Sequence, residues 1–189
     1  MRHSEPSASP NQTADRKTGR IHVCSLSALE QTVTQCNASY LLSCLQDELL
    51  VETPRLIRPD DHLRLLVHDI SEPLEGYVAP NEEHIDQLID FALRWSGEGP
   101  MVVHCWAGIS RSTAAAFTAL CAINPGAPEE LIAARLREAS PTAYPNRLMV
   151  RLADAMLGRD GRMVRAVESI GRGVPANEAA PFSLAAHHA

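Results

Sequence analysis

Aromatic residues are scarce in this chain of 189 residues, at 4%, so its core must be filled largely by aliphatic side chains. Positive charge is scarce as well: the net charge is −6, with no long basic run. Nucleic-acid and anionic-membrane surfaces need a positive field, and this composition argues against both as partners. Long apolar runs are missing. The longest near-apolar stretch, Ala114 to Ile123, falls far short of the ~20 residues that span a bilayer. The first twenty residues hold no apolar core of a secretory signal. Five cysteines (24, 36, 44, 105 and 121) make an odd set without a C-x-x-C pair, which disfavours a disulfide framework and a zinc site. These absences lead to the expectation of a cytoplasmic protein with reduced thiols, no cofactor and no metal.

What is present is an ordinary globular balance, 45% hydrophobic and 21% charged, and a length that suits one domain with tails. Residues 1–20 are rich in Ser, Pro and Thr and read as a disordered tail. Strands are expected at Ile21–Ser25, Ser39–Leu45, Leu63–Val67 and 101–104. Ser27 and Glu30 have the spacing of a capping box, opening a helix to about Cys36. Ile85, Leu88, Ile89, Ala92 and Leu93 fall on one face of a helix that starts at Asn81. Further helices are expected over Ser112–Ile123, Pro128–Ala139 (with Pro128 in the first turn) and Pro145–Leu157, and a weaker one around Met163, Val167 and Ile170. Strands alternating with helices imply an α/β fold, a mostly parallel sheet flanked by helices. The expected division is a domain over 21–158, then a short helix and a flexible tail over 159–189.

The informative stretch is His104-Cys105-Trp106-Ala107-Gly108-Ile109-Ser110-Arg111-Ser112. An apolar strand precedes it and an alanine-rich helix follows. A strand, a tight small-residue loop and a helix N-terminus together make an anion site, since loop amides and the helix dipole face the ligand. Gly108 permits a positive φ and close approach of the chain. A thiol placed there is pushed toward thiolate by the dipole and by arginine. A bare Cys-x5-Arg match is weak among five cysteines and sixteen arginines. The flanking strand, glycine, serines and helix give it weight against a plain buried cysteine beside a surface arginine.

The motif His-Cys-x2-Gly-x-Ser-Arg-Ser resembles the signature of the cysteine-dependent protein tyrosine phosphatases, especially the small dual-specificity type. The resemblance covers about Ile21 to Gly158 and implies the protein tyrosine phosphatase-like fold and a substrate that is a phosphorylated protein or small phosphomonoester. It further implies that Cys105 attacks phosphorus and that Arg111 grips two phosphate oxygens bidentately. The amides of residues 106–111, from Trp106 and Ala107 through Gly108, Ile109 and Ser110, would hold the equatorial oxygens. Ser112 would donate to the cysteine sulfur. The general acid it requires is an aspartate some thirty to forty residues before the cysteine. Asp69 fits best, with Glu72 and Glu75 in the same Pro/Gly-containing loop as reserves. His104 would orient the loop, or be a buried strand-end histidine. Asn146, in Tyr144-Pro145-Asn146, would brace the phosphate loop, or simply cap a helix.

The loop carries no lysine, unlike phosphatases of polyphosphorylated inositols, and Trp106 gives it an apolar rim suited to an aromatic or hydrophobic monoester. Asp60-Asp61-His62 and His68-Asp69 have metal-ligand residue types but read as polar strand ends. Arg147 and Arg151, four apart on one helix, read as a solvated face, and His187-His188 as incidental. A phosphatase of small or lipid phosphates and an inactive phosphate-binding module are the competing functions.

Overall fold

The computed structural model describes residues 19–46 and 52–187. The expected N-terminal tail therefore lies outside the described residues up to 18, and Arg20 is already sheet. Strands β1 (Arg20–Ser25), β2 (Tyr40–Leu45), β3 (His62–Leu66), β4 (Pro100–Cys105) and β5 (Phe182–Ala185) form one sheet in the order β3-β2-β4-β1-β5. All neighbours run parallel except β5, which lies antiparallel on β1. Helices are α1 (Leu29–Cys36), α2 (Glu82–Trp95), α3 (Arg111–Ile123), α4 (Glu129–Ala139), α5 (Arg147–Met156) and α6 (Arg162–Ser169). This is the expected α/β architecture with a mostly parallel sheet flanked by helices.

The period of two along each strand sorts its side chains between two cores. Met101, Val103 and Cys105 of β4 enter the larger core under α2–α6, whereas Val102 enters the smaller one with Leu29 and Val33 of α1. Leu42 and Cys44 of β2 join the first and Leu41 the second. Scarcity of aromatics is met by α3, which is buried from Arg111 to Ala122. Its alanines let the sheet, α2, α4 and α5 all approach one central helix. That helix starts six residues after β4 ends, so the packing of the core decides where the intervening loop sits.

Several local expectations give way to longer-range partners. Ser27 does not cap α1: its hydroxyl donates to Glu178, 2.9 Å away, and α1 starts after Ala28 without a side-chain cap. Pro128 is the cap residue of α4 rather than part of its first turn, and α5 begins at Arg147, two residues later than expected. At α2 the capping box is completed by His84, whose Nδ1 accepts from the Asn81 amide. The short helix expected after Gly158 is present as α6, and the described residues that follow it, to 187, pack on the domain. Met163 and Ala166 of α6 are fully buried in the larger core. The chain from Gly171 then crosses to the far sheet edge, where β5 pairs Leu184 with Ile21. No helix among the described residues is long and apolar enough to cross a membrane.

Candidate active site

Cys105 is the last residue of β4 and Arg111 the first of α3, so the five residues between them must turn the chain within one tight loop. Gly108 makes the turn at φ +73°, and a Cβ there would meet the main chain of Cys24 and Ser25 at 2.9 Å. Both the backbone angle and the close packing on β1 exclude a side chain.

The loop is held from outside through its carbonyls. Those of Trp106, Ala107, Ile109 and Ser110 accept from the amides of Leu26 (3.1 Å), Ala179 (2.9 Å), Tyr144 (2.9 Å) and Asn146 (3.2 Å). In a trans peptide the carbonyl and the next amide point in opposite directions. The amides of Ala107, Gly108, Ser110 and Arg111 therefore point away from those outside partners, next to the positive end of α3. Thr113 Oγ1 donates to the carbonyls of Ile109 (2.5 Å) and Ser110 (2.9 Å), tightening the entry into the helix.

Cys105 is buried and its Sγ lies 3.1 Å from Ser112 Oγ. Arg111 is 5% exposed. Its Nη1 donates to the carbonyl of Val67 at 2.9 Å, which fixes the plane of the guanidinium. Its Nε has no hydrogen-bond partner among the described residues and stands 3.9 Å from Asp69 Oδ2. A buried guanidinium nitrogen left without an acceptor is costly unless a ligand supplies one. Arg111 lines a cleft of about 930 Å³ together with Cys105 and Asp69.

Asp69 sits in the loop after β3, and its two oxygens are differently engaged. Oδ1 accepts from Ser110 Oγ at 2.7 Å and from Asn146 Nδ2 at 2.9 Å. Oδ2 makes the long approach to Arg111, and the residue lines the cleft. Asn146 divides its work in an unexpected way. Its main-chain N–H donates to the Ser110 carbonyl in the loop after β4, its Oδ1 caps α5 at Leu148 and Met149, and its Nδ2 ties Asp69 and the carbonyl of Ile70. The side chain thus braces the aspartate loop, where the resemblance pointed to the phosphate loop. Glu72 and Glu75 are exposed and do not line the cleft.

His104 is fully buried at the end of β4 and bonds away from the loop, its Nε2 lying 2.6 Å from Ser43 Oγ on β2. The same hydroxyl lies 2.9 Å from His62 Nε2, whose Nδ1 reaches Thr53 Oγ1 at 3.0 Å. Burial holds the pKa of His104 down at about 4, with Arg111 adding to the effect and the Cys105 main chain opposing it. Burial likewise takes His62 to about 4, assisted by the charges of Arg64 and His104. Both rings are neutral at pH 7. Burial raises the thiol of Cys24 to about 12 and that of Cys44 as well, so neither supplies a thiolate.

The mouth of the cleft is apolar. Trp106 and Tyr77 line it and are each about half exposed. Tyr77 packs edge-on against His68 with ring centroids 4.9 Å apart, and the Val78 amide donates to His68 Nδ1 at 3.0 Å. His62 and His68 are therefore spent on different neighbours and do not converge as metal ligands. Arg147 and Arg151 border a separate hollow with Ser71 and Glu72.

No protein-family model matches the sequence, and no curated protein matches it. Solved structures do match. One is DUSP15, at 18% identity and a TM-score of 0.56, covering 79% of this chain and 89% of that one. Another is PTPMT1 in complex with PI(5)P, at 14% identity and 0.56, covering 77% and 94%. A third is a mouse putative dual specificity phosphatase complexed with zinc tungstate, at 17% identity and 0.53, covering 87% and 96%. The fold is that of the dual-specificity phosphatases.

Within that dual-specificity phosphatase fold, the chain brings Cys105, Arg111, Ser112 and Asp69 to one cleft, with Trp106, Ala107, Ile109 and Ser110 in its floor and wall. His104 stands behind it. Sequence reasoning missed the second layer: Ser43 and His62 behind His104, the Val67 carbonyl on Arg111, and Ala176 and Asn177 in the cleft wall. Ser43 did leave a signal, as a polar residue in the apolar strand Tyr-Leu-Leu-Ser-Cys-Leu. A main-chain carbonyl leaves none.

Proposed function

We propose that the protein hydrolyses phosphomonoesters through a cysteinyl-phosphate, with phosphotyrosine in proteins as its substrate class and phosphoserine or phosphothreonine as further substrates. The observation that carries this reading is the meeting of Cys105, buried Arg111 and Asp69 at one cleft, with Ser112 Oγ 3.1 Å from the Cys105 sulfur. That is a socket for a tetrahedral anion over a nucleophile.

In the first step the Cys105 thiolate attacks phosphorus, the S–P bond forms and the ester P–O bond breaks. Asp69, carrying its proton on Oδ2, gives it to the departing oxygen. In the second step water attacks phosphorus while Asp69 takes its proton. The S–P bond breaks, and the thiolate leaves stabilised by Ser112 Oγ. Arg111 and the loop amides hold the equatorial oxygens throughout, and no charge has to be reorganised during the reaction.

Arg111 is the sole arginine or lysine among the described residues lining the cleft, which supports a substrate with one phosphate. The half-exposed Trp106 and Tyr77 at the mouth suit an aromatic leaving group. The apolar rim also admits a lipid monophosphate, and PTPMT1, a structure of similar fold, is described with a phosphoinositide bound. Purified protein is expected to hydrolyse p-nitrophenyl phosphate with inhibition by vanadate, to prefer phosphotyrosine peptide by kcat/KM, and to lose turnover in Cys105→Ser. Preference for a lipid monophosphate would move the substrate class. Vanadate binding without turnover in the wild type would make the chain an inactive phosphate-binding module.

A further inference from the structure

The chain after α6 was expected as a flexible tail, yet it runs directly past the catalytic loop. It is fixed at both ends. Near its start, the Val174 amide donates to the carbonyl of Pro141 at 2.9 Å and Gly173 packs on the main chain of Thr142. At its far end β5 pairs with β1, the strand that lies next to β4. The Ala186 carbonyl accepts from Asn124 Nδ2 at 2.8 Å and its amide donates to Gly19. Between these anchors the segment touches the site twice. Ala179, 5% exposed, donates its amide to the Ala107 carbonyl at 2.9 Å, and Ala176 and Asn177 line the cleft.

The first contact bears on chemistry. The Ala107–Gly108 peptide is, on the phosphatase reading, one of those whose amide faces the anion, and its carbonyl has its outward partner in Ala179. Gly108 lacks a side chain that could hold the peptide by packing. Without Ala179 that carbonyl loses its outward hydrogen bond, and the main-chain packing of Gly108 on β1 is left to hold the aim of the Gly108 N–H at a phosphate oxygen. The second contact bears on selection. Ala176 and Asn177 belong to the cleft wall, together with Trp106 and Tyr77, so a leaving group must pass between them.

We propose that residues 171–181 form a strap that is part of the active site, in which the Ala179 amide is a positioning group for the phosphate loop and Ala176 and Asn177 restrict the leaving group. The inference rests on the phosphatase reading above and goes beyond it, because it assigns a role outside the signature loop.

The test uses the full chain with p-nitrophenyl phosphate, a phosphotyrosine peptide and vanadate. Ala179→Pro removes the one N–H. It is expected to lower kcat and raise the vanadate inhibition constant, each by about tenfold, less than full deletion of an oxyanion donor costs. Ser27→Ala releases the strap's bond through Glu178 but leaves the Ala179 amide in place, and should change both by less than about twofold. An unchanged vanadate constant in Ala179→Pro would overturn the positioning role, since a purely structural fault lowers the active fraction and not the constant. Should that variant fail to fold, Asn177→Trp carries the test. Its kcat/KM for the bulkier peptide should fall about tenfold further than its kcat/KM for p-nitrophenyl phosphate. Equal effects on both substrates would overturn the strap. A wild type that neither turns over nor binds vanadate would overturn the phosphatase reading instead.

Discussion

The two ends of α3 each hold a buried arginine, and the two are used in opposite ways. Arg159, 7% exposed, closes the C-terminal end: its Nη2 donates to the Cys121 carbonyl at 2.8 Å, and its Nη1 to the Pro125 carbonyl at 2.9 Å and to buried Glu129 at 3.2 Å. A cation there complements the negative end of the helix, and its charge is matched by a carboxylate that also receives Arg162. Arg111, at the N-terminal end, adds a positive charge where the dipole is already positive. It has a single carbonyl, Val67, and a distant Asp69 that is already engaged by Ser110 and Asn146. By the rules of stability Arg159 is well placed and Arg111 badly placed. The difference supports the proposal that the N-terminal end of α3 takes an anion from outside, whereas the C-terminal end serves folding.

That comparison can be broken most decisively by exchanging each arginine for methionine. Arg111→Met should lower kcat/KM for an aryl phosphate by at least about 10³-fold, the loss of one or more transition-state donors. Its urea-unfolding midpoint should hold or rise, because an uncompensated buried charge is removed. Arg159→Met should do the reverse. It leaves Glu129 short of a partner and costs about 3 kcal/mol of stability by urea unfolding, while kcat per folded molecule changes by less than about twofold. A loss of activity in Arg159→Met without a loss of stability would contradict the division of labour.

Next in size is Asp69→Asn, expected to lower kcat for an aryl phosphate by about 10²-fold. Full activity there would shift the acid to Glu72 or Glu75, which the geometry places outside the cleft.

Much of the fold and of the loop around Cys105 is legible in the sequence, and the reasons are local. Cys105, Gly108, Arg111 and Ser112 lie within eight residues of one another, so spacing alone can bring them to one loop. The strands of β1 to β4 and the apolar face of α2 are periodic over enough residues to be read. Asp69 was reachable through the family resemblance, which implies an aspartate thirty to forty residues before the cysteine, and a strand end and a Pro/Gly loop then single it out. What could not be read is whatever depends on pairing across the chain. Ser43 meets His104 because β2 and β4 are neighbours. Ser27 turned from a capping role to Glu178 because the C-terminal strap passes beside it. Strand β5 is four residues long and gains its identity from the β1 edge it covers. The opposed roles of Arg111 and Arg159 were equally hidden, since their acceptors are mostly main-chain carbonyls that carry no sequence signature.

The smallest effect lies behind the loop. His62 and His104 have pKa values of about 4 in the fold against 6.5 in the unfolded chain. Between those values the unfolded state takes up protons that the native state refuses, so stability should fall as pH drops from 6.5 toward 4. Above pH 6.5 both rings are neutral in both states and contribute no slope. His62→Phe should flatten the decline, measured as urea midpoints across that window, and an unchanged slope would remove His62 from the account. Ser43→Ala leaves the His104 Nε2 without its partner and should cost about 1–3 kcal/mol, again by unfolding.

The claim at the centre is that the N-terminal end of α3 presents an anion to Cys105 for covalent transfer. Acid quenching of Asp69→Asn during turnover of an aryl phosphate, followed by mass spectrometry of the peptide carrying Cys105, tests it most directly. The account predicts phosphate bound to the Cys105 sulfur, accumulating because Asp69 also serves the second step, and absent in Cys105→Ser. Turnover by the wild type with no phosphocysteine at any quench time in either protein would contradict it.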